Sequence, residues 1–407
     1  MSGQHHQAPM RNTDRLQQVQ TPIIPTIANW TRQTHGTLSL GQGMVNYPPP
    51  DSALQAIATF GRLPEDHLYG SPLGHPKLLE LIQSKLHQDN RIDCGRGYQV
   101  MVTAGSNMAF LNVVMAISDP GDEIILPMPY YFNQEMAIQM LGCVAIPVAT
   151  REDYQLDLAA LEAAITEKTR AIVTVSPNNP SGAVYPEKDL RAVNALCHQR
   201  GIYHISDEAY EYFTYDGAAH FSAASLADAA GHTISLFSLS KAYGFASWRV
   251  GYAVFPEALL AAMLKIQDTN LICPPAITQV AAIGALETGA DYCRQQLPEL
   301  ARIRLHVLQQ LQAISEICQL QAASGAFYVL LKIRTSLKDV ELAERLIKQF
   351  KVAAIPGCAF GMQDGCYLRI SYGMLSPAQV GEAIQRLITG LLALCSRNPL
   401  ESATSLD

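Results

Sequence analysis

The sequence predicts an α/β protein in which a large, mostly parallel sheet is sandwiched by helices and joined to a smaller α+β domain. Three observations carry that expectation. From about Tyr98 to residue 255, short apolar runs alternate with helix-like stretches, the order expected when helices cross between parallel strands. After Pro274-Pro275 long helical patterns dominate and strands become few. The chain has 407 residues, 48% of them hydrophobic, which is more than one simple core takes up.

In chain order, residues 99–104 read as the first strand, an apolar run that stops at Gly105, and 107–117 as the helix after it. Further strands are expected at 123–126, 144–148, 171–176, 202–206, 233–237 and 249–255, each short and rich in β-branched or aromatic residues. Helices are expected at 130–141 and 187–199. In such sheets ligands bind beyond the carboxyl ends of the strands. Past the proline pair, 278–286 reads as a helix and 298–317 as one long amphipathic helix. Residues 327–333 form a strand pattern, 340–350 a helix and 368–371 a strand. A helix over 377–395 is announced by Ser376 as N-cap and Pro377 in the first turn. The expected division is a polar, disordered tail over 1–20, a large domain over 46–290, and a small domain built from 21–45 and 291–400.

Composition excludes several classes of function. Charged residues make up 16% and the net charge is −7 without any Lys/Arg run, which argues against nucleic-acid binding. No apolar stretch approaches the roughly 20 residues of a membrane span. The first 20 residues are polar, rich in Gln and His, and lack a signal peptide's apolar region. The nine cysteines are odd in number and form no Cys-x-x-Cys, so reduced thiols, a cytoplasmic location and no metal site are expected.

The chemistry-bearing residues fall at strand ends. Ser238-Leu239-Ser240-Lys241 closes one apolar run, and Arg249 follows eight residues after the lysine. A lysine amine can form a Schiff base with an aldehyde cofactor, and two hydroxyls with an arginine suit a phosphate ester. Asp207 ends another run, with Tyr210 three residues on; a buried carboxylate there would favour the protonated form of a ring nitrogen. Ser176-Pro-Asn-Asn179-Pro-Ser-Gly follows a third run. Thr103-Ala-Gly105-Ser106-Asn107 lies between a strand and a helix, where amides and the helix dipole hold anions. Arg369 stands alone in an apolar strand, Tyr367-Leu-Arg-Ile-Ser, and an arginine takes a carboxylate bidentately. Taken singly, an Asp that caps the next helix or a Pro/Asn/Gly turn accounts for some of these strings equally well.

Together, the string Ser238–Tyr252, Asp207-x-x-Tyr210, Asn179-Pro-x-Gly, Gly105-Ser-Asn and Arg369 resemble the class I/II (fold type I) aminotransferases that depend on pyridoxal 5'-phosphate. The resemblance runs from about residue 38 to 373 and makes 46–290 the cofactor-binding domain. It implies Lys241 as the Schiff-base lysine and proton carrier, and Asp207 at the pyridine nitrogen. Tyr210 and Asn179 would serve the phenolic oxygen; Gly105, Ser106, Asn107, Ser238, Ser240 and Arg249 the phosphate. Tyr131, or its competitor Tyr130, would cover the ring. Arg369 and Asn179 would fix the substrate α-carboxylate. Tyr69-Gly-Ser resembles a loop whose tyrosine reaches the phosphate of a neighbouring subunit, and Ser39-Leu-Gly41 a segment that caps the substrate. These two imply a homodimer whose active sites are shared between subunits.

The implied activity moves an amino group between an L-amino acid and a 2-oxo acid. No further Arg or Lys is assignable to a second substrate carboxylate. Tyr47 and Phe327-Tyr328 offer aromatic surface instead, so aromatic amino acids, methionine or glutamine are the expected donors. An aspartate-type enzyme, a carbon–sulfur lyase and ring closure are the alternatives within the same machinery; a regulator with a dormant enzyme-like domain is the alternative outside it.

Overall fold

The computed structural model describes residues 13–17, 19–321 and 323–395. Most of the expected tail and residues 396–400 of the expected small domain lie outside them. Within the tail's range, Asp14–Gln17 form one helical turn, and Gln20 donates to Glu135 at 2.9 Å.

Strand β1 (Leu38–Ser39) comes first. Seven strands follow in one sheet: β2 (Tyr98–Thr103), β3 (Glu123–Met128), β4 (Val144–Ala149), β5 (Thr169–Val175), β6 (Tyr203–Asp207), β7 (Thr233–Ser238) and β8 (Gly251–Pro256). Their spatial order is β2-β8-β7-β6-β5-β3-β4. Only the pairings that involve β8 are antiparallel. The carboxyl ends of β2, β5, β6 and β7 therefore meet the amino end of β8 along one edge. Consecutive side chains feed opposite faces: Ile124 and Leu126 enter one buried cluster and Ile125 another. Helices cover both faces, Ser106–Ile117 on the first and Glu187–Arg200 on the second.

The second sheet takes β9 (Cys318–Leu320), β10 (Tyr328–Ile333), β12 (Ile355–Pro356) and β13 (Cys366–Ser371), all antiparallel, in the order β12-β13-β10-β9. Strand β11 (Val352–Ala353) instead pairs in parallel with β1. The helix Ile23–Gln33 packs on Asp339–Phe350, so this helix and β1 lie against the smaller α+β unit. The terminal helix Pro377–Cys395 begins where expected. Ser376 Oγ accepts from the Gln379 amide and Gln379 Oε1 accepts from the Ser376 amide, a reciprocal cap.

Three boundaries differ from expectation for local reasons. The helix expected over 298–317 ends at Leu311 and tightens into a turn over Gln312–Ile314, which reverses the chain so that β9 can pair with β10. Arg249 has φ +55° and stands outside β8, which starts at Gly251. The helix expected from Tyr130 starts at Phe132, because the Tyr130 amide bonds to Phe360 O and Tyr131 adopts an extended conformation at the cap.

Candidate functional site

Four strand ends and the start of β8 converge on a cavity of about 200 Å³. Its lining includes Ser106, Asn107, Tyr131, Asn179, Asp207 and Tyr210. Ser238, Ser240, Lys241 and Arg249 line it as well, so ten of the residues expected from sequence share one wall. A larger cavity of about 520 Å³, lined by Arg151, Tyr154, Lys332 and Tyr367 among others, shares none of them.

One end of the cavity is built for an anion. The helix Ser106–Ile117 starts there, and no side chain caps its leading amides. Gly105 precedes it at φ +84°, and a Cβ built on it would lie 2.3 Å from Arg249 Nη2. Only glycine allows the guanidinium to close on the helix start. Arg249 Nη1 donates to Ala246 O at 2.8 Å. Ser238 Oγ accepts from the Ser240 amide at 3.2 Å and thereby caps the one-turn helix Leu239–Ala242 that carries Lys241.

The other end is anionic. Asp207 is the last residue of β6 and is buried. Its Oδ1 accepts from the Ala209 amide and its Oδ2 from Gln134 Nε2 at 2.9 Å. Burial pushes its carboxyl up to about 6, with help from the neighbouring Glu208 charge and against those two hydrogen bonds. Between the two ends, burial lowers the Lys241 ammonium to about 8, with the Arg369 and Arg249 charges contributing to the same shift. Lys241 Nζ donates to Gly43 O at 2.5 Å, and its own carbonyl accepts from Tyr47 Oη at 2.7 Å. A Cβ on Gly43 would lie 2.5 Å from Tyr328 Oη, so the segment's close approach depends on that glycine.

Tyr210 Oη lies 2.8 Å from Tyr328 Oη and accepts from Asn179 Nδ2 at 3.3 Å. Arg369, on β13, is 2% exposed. It donates to Asn179 Oδ1 at 3.0 Å and to Gly41 O at 2.5 Å. Its guanidinium carbon lies over the Tyr328 and Phe360 rings, and its Nε is buried without a partner. Of the two candidate tyrosines it is Tyr131 that lines the cavity, its hydroxyl accepting from Asn133 Nδ2 at 2.8 Å. Tyr69 stands apart, 82% exposed.

Sequence reasoning missed Gln134, whose helix gives no motif, and the carbonyl of Gly43; Gly41, expected in a segment that caps the substrate, meets Arg369 through its carbonyl. The hydroxyl of Tyr47, a residue expected to offer aromatic surface, ties the N-terminal segment to the backbone of the lysine.

A cation-rich cup, a central lysine and a distal carboxylate suit a flat heteroaromatic phosphate ester that carries an aldehyde. The donor set and the small Gly105 cradle both fit such a group.

The comparisons with known proteins agree with that chemistry. The family model described as "Aminotransferase class I and II" matches residues 36–387. The aromatic aminotransferase ISS1 of Arabidopsis thaliana is 33% identical, covering 93% of this chain and 96% of its own. A probable aspartate/prephenate aminotransferase of Aquifex aeolicus is 33% identical over 86% and 90%. The structure of Thermus thermophilus aspartate aminotransferase with maleate superposes with a TM-score of 0.84 at 30% identity, covering 94% of this chain and all of the other. This chain belongs to the class I and II aminotransferase family and is a pyridoxal-phosphate-dependent transaminase of an amino acid and a 2-oxo acid.

Proposed function

We propose that the enzyme takes its amino group from neutral L-amino acids, with aromatic residues, methionine or glutamine as donors. One observation carries this. The site's cations are Lys241, Arg249 and Arg369, and each has a task in binding the cofactor or the α-carboxylate. No lysine or arginine among the lining residues is left for a second substrate carboxylate. The surroundings of Arg369 are instead Tyr131, Tyr328 and Phe360. The relatives named above include both aromatic and aspartate enzymes, so the reading rests on the charges in the site.

Pyridoxal phosphate, when bound, supplies the electron sink that takes up charge from the substrate α-carbon and carries the amino group between the two substrates. The residues divide the remaining work. Asp207 would hold the ring nitrogen, and Tyr210 with Asn179 the phenolic oxygen. The Gly105–Asn107 turn, Ser238, Ser240 and Arg249 would hold the phosphate, and Tyr131 the ring face. Arg369 and Asn179 orient the substrate by its carboxylate, in the place where the carbonyl of Gly41 now accepts from Arg369. Lys241, at about 8, takes the proton from the substrate α-carbon as general base and returns it as general acid.

The same reading includes a homodimer with a shared site. Leu63, Leu68, Tyr69, Ile272 and Ile277 are large apolar side chains that one chain leaves exposed, and Tyr69 would reach a second copy's phosphate cup. A cytoplasmic location goes with the nine unpaired cysteines. The division into a large domain over 46–290 and a small one from 21–45 and 291–400 belongs to this reading as well.

Single amino acids added to the cofactor-loaded enzyme without any oxo acid test the donor class, read as loss of the cofactor's visible absorbance. Phenylalanine, tyrosine, methionine or glutamine should react fastest. Aspartate reacting fastest would overturn the donor class, and pyruvate with ammonia released from cystathionine would indicate a lyase.

A further inference from the structure

Asp207 and Tyr210 face the cavity, and the residues that directly follow them, Glu208 and Glu211, enter a second polar network on the far side of the same turn. Glu208 is 1% exposed. Its Oε2 accepts from Ser222 Oγ at 2.5 Å and lies 2.9 Å from His220 Nε2. Ser222 Oγ accepts from Asn90 Nδ2 at 2.9 Å, and the same amide donates to Glu211 Oε2 at 2.8 Å. Lys85 Nζ closes the network by donating to Asn90 Oδ1 at 2.7 Å and to Glu211. The two carboxylates that anchor the turn are thus partnered differently: Glu211 by a lysine, Glu208 by a histidine.

That difference matters because Asp207 and Glu208 are consecutive buried carboxylates. Two negative charges so close in a low dielectric oppose each other's ionisation, and the Glu208 charge pushes Asp207 up. Burial alone would drive Glu208 up as well. His220 and Ser222 outweigh burial and hold it below its ordinary value. The other titratable groups that sense Glu208 are Tyr98 on β2, His204 on β6 and Tyr252 on β8. Burial keeps both tyrosines protonated and pushes His204 down to about 3, so all three stay neutral. Lys85 is spent on Glu211. His220 is therefore the one basic side chain within hydrogen-bond contact of Glu208 among the described residues. It also lines a separate cavity of about 460 Å³ with Asp89, Arg91, Glu187, Arg191 and Ser222, outside the cofactor site.

The geometry points to His220 as a positioning residue that acts through Glu208: the imidazole holds the Glu208 carboxylate by hydrogen bond and, when protonated, by charge, and Asp207 can then carry its own charge opposite the cofactor. The inference rests on the reading of Asp207 given above. It extends the electrostatic design of the site to a residue that touches neither cofactor nor substrate.

The test uses the full-length enzyme loaded with pyridoxal phosphate. Cofactor retention on dialysis and its visible absorbance are followed between about pH 5 and 9 in the parent, D207N, H220Q and E208Q. The transition missing from D207N is the one set by Asp207. H220Q keeps a donor to Glu208 but cannot take up a proton and become positively charged. It should move that transition upward by roughly one pH unit and lower retention several-fold at its acid side. E208Q removes the opposing negative charge and should move the same transition downward. A network that merely holds the turn in place would weaken retention in both variants and shift both the same way. An unmoved transition in H220Q, or an upward shift in E208Q, overturns the inference. E208Q alone decides the sign if H220Q does not fold. A parent profile that D207N leaves unchanged would instead sink the assignment of Asp207 to the cofactor.

Discussion

Arg369 and Asn179 are joined side chain to side chain across 190 residues of sequence, Nη1 donating to Oδ1 at 3.0 Å. The same amide donates to Tyr210 at 3.3 Å, so one asparagine links the arginine of β13 to the tyrosine after β6. The guanidinium is already oriented before a carboxylate arrives, with Nε buried and unpartnered.

Substitution of Arg369 by alanine should therefore raise KM for the amino acid by about 10- to 100-fold, the equivalent of about 1.5–3 kcal/mol for hydrogen bonds to a charged group. Retention of pyridoxal phosphate should change little. R369K should not restore affinity, because an ammonium cannot reproduce the fork that holds Asn179 and a carboxylate together. Steady-state kinetics paired with cofactor dialysis separates the two effects.

Asp207 makes a prediction about stability as well as rate. Its carboxyl is raised by burial to about 6 in the fold, above its ordinary value. The folded chain holds that proton more tightly than the unfolded one, so the contribution to stability is complete at low pH and is lost as pH rises towards 6. In the cofactor-free chain, D207N should be more stable than the parent above pH 6, by at most about 3 kcal/mol, and the difference should vanish near pH 4. Turnover of the loaded variant should fall by about 100-fold or more. Urea unfolding at two pH values measures the first effect and single-turnover kinetics the second.

The strands of the large sheet were legible as short apolar runs, and the polar motifs that close β2, β5, β6 and β7 are among the residues that line the cavity. The two-residue strands β1, β11 and β12 were not, since a pair of residues has no period to read. The helices Asp51–Ile57, Pro76–Lys85 and Leu260–Asn270 also escaped. Each is short or mixed in pattern and owes its shape to tertiary packing. In the site, residues that act through side chains after a strand end were found. Gly43, which acts through a backbone carbonyl, and Gln134 and His220, which act through a partner reached across the fold, were not: neither role leaves a mark on local sequence.

The lowered Lys241 amine predicts how the cofactor-free chain takes up pyridoxal phosphate. Burial is the main cause, and the charges of Arg369 and Arg249 add to it. The rate should climb about tenfold per pH unit below 8 and level off above it, following the neutral amine. R369Q removes one of the two added charges, so its plateau should begin at a higher pH. Stopped-flow absorbance over this range checks both; a plateau reached only near 10 would place the lysine in an ordinary solvated environment.

Gly105 gives the most local test of the phosphate cup. At φ +84° a side chain is strained whatever the space, and a Cβ would lie 2.3 Å from Arg249 Nη2. G105A must therefore displace the guanidinium from the start of the helix Ser106–Ile117, leaving the leading amides without their cationic neighbour. Backbone strain of about 1–2 kcal/mol should appear as a lowered thermal midpoint of the cofactor-free chain. The misplaced arginine should appear separately, as affinity for pyridoxal phosphate reduced about tenfold or more. R249A should lose the affinity without the strain. If G105A lowered stability but bound the cofactor as the parent does, Arg249 would not belong to the cup.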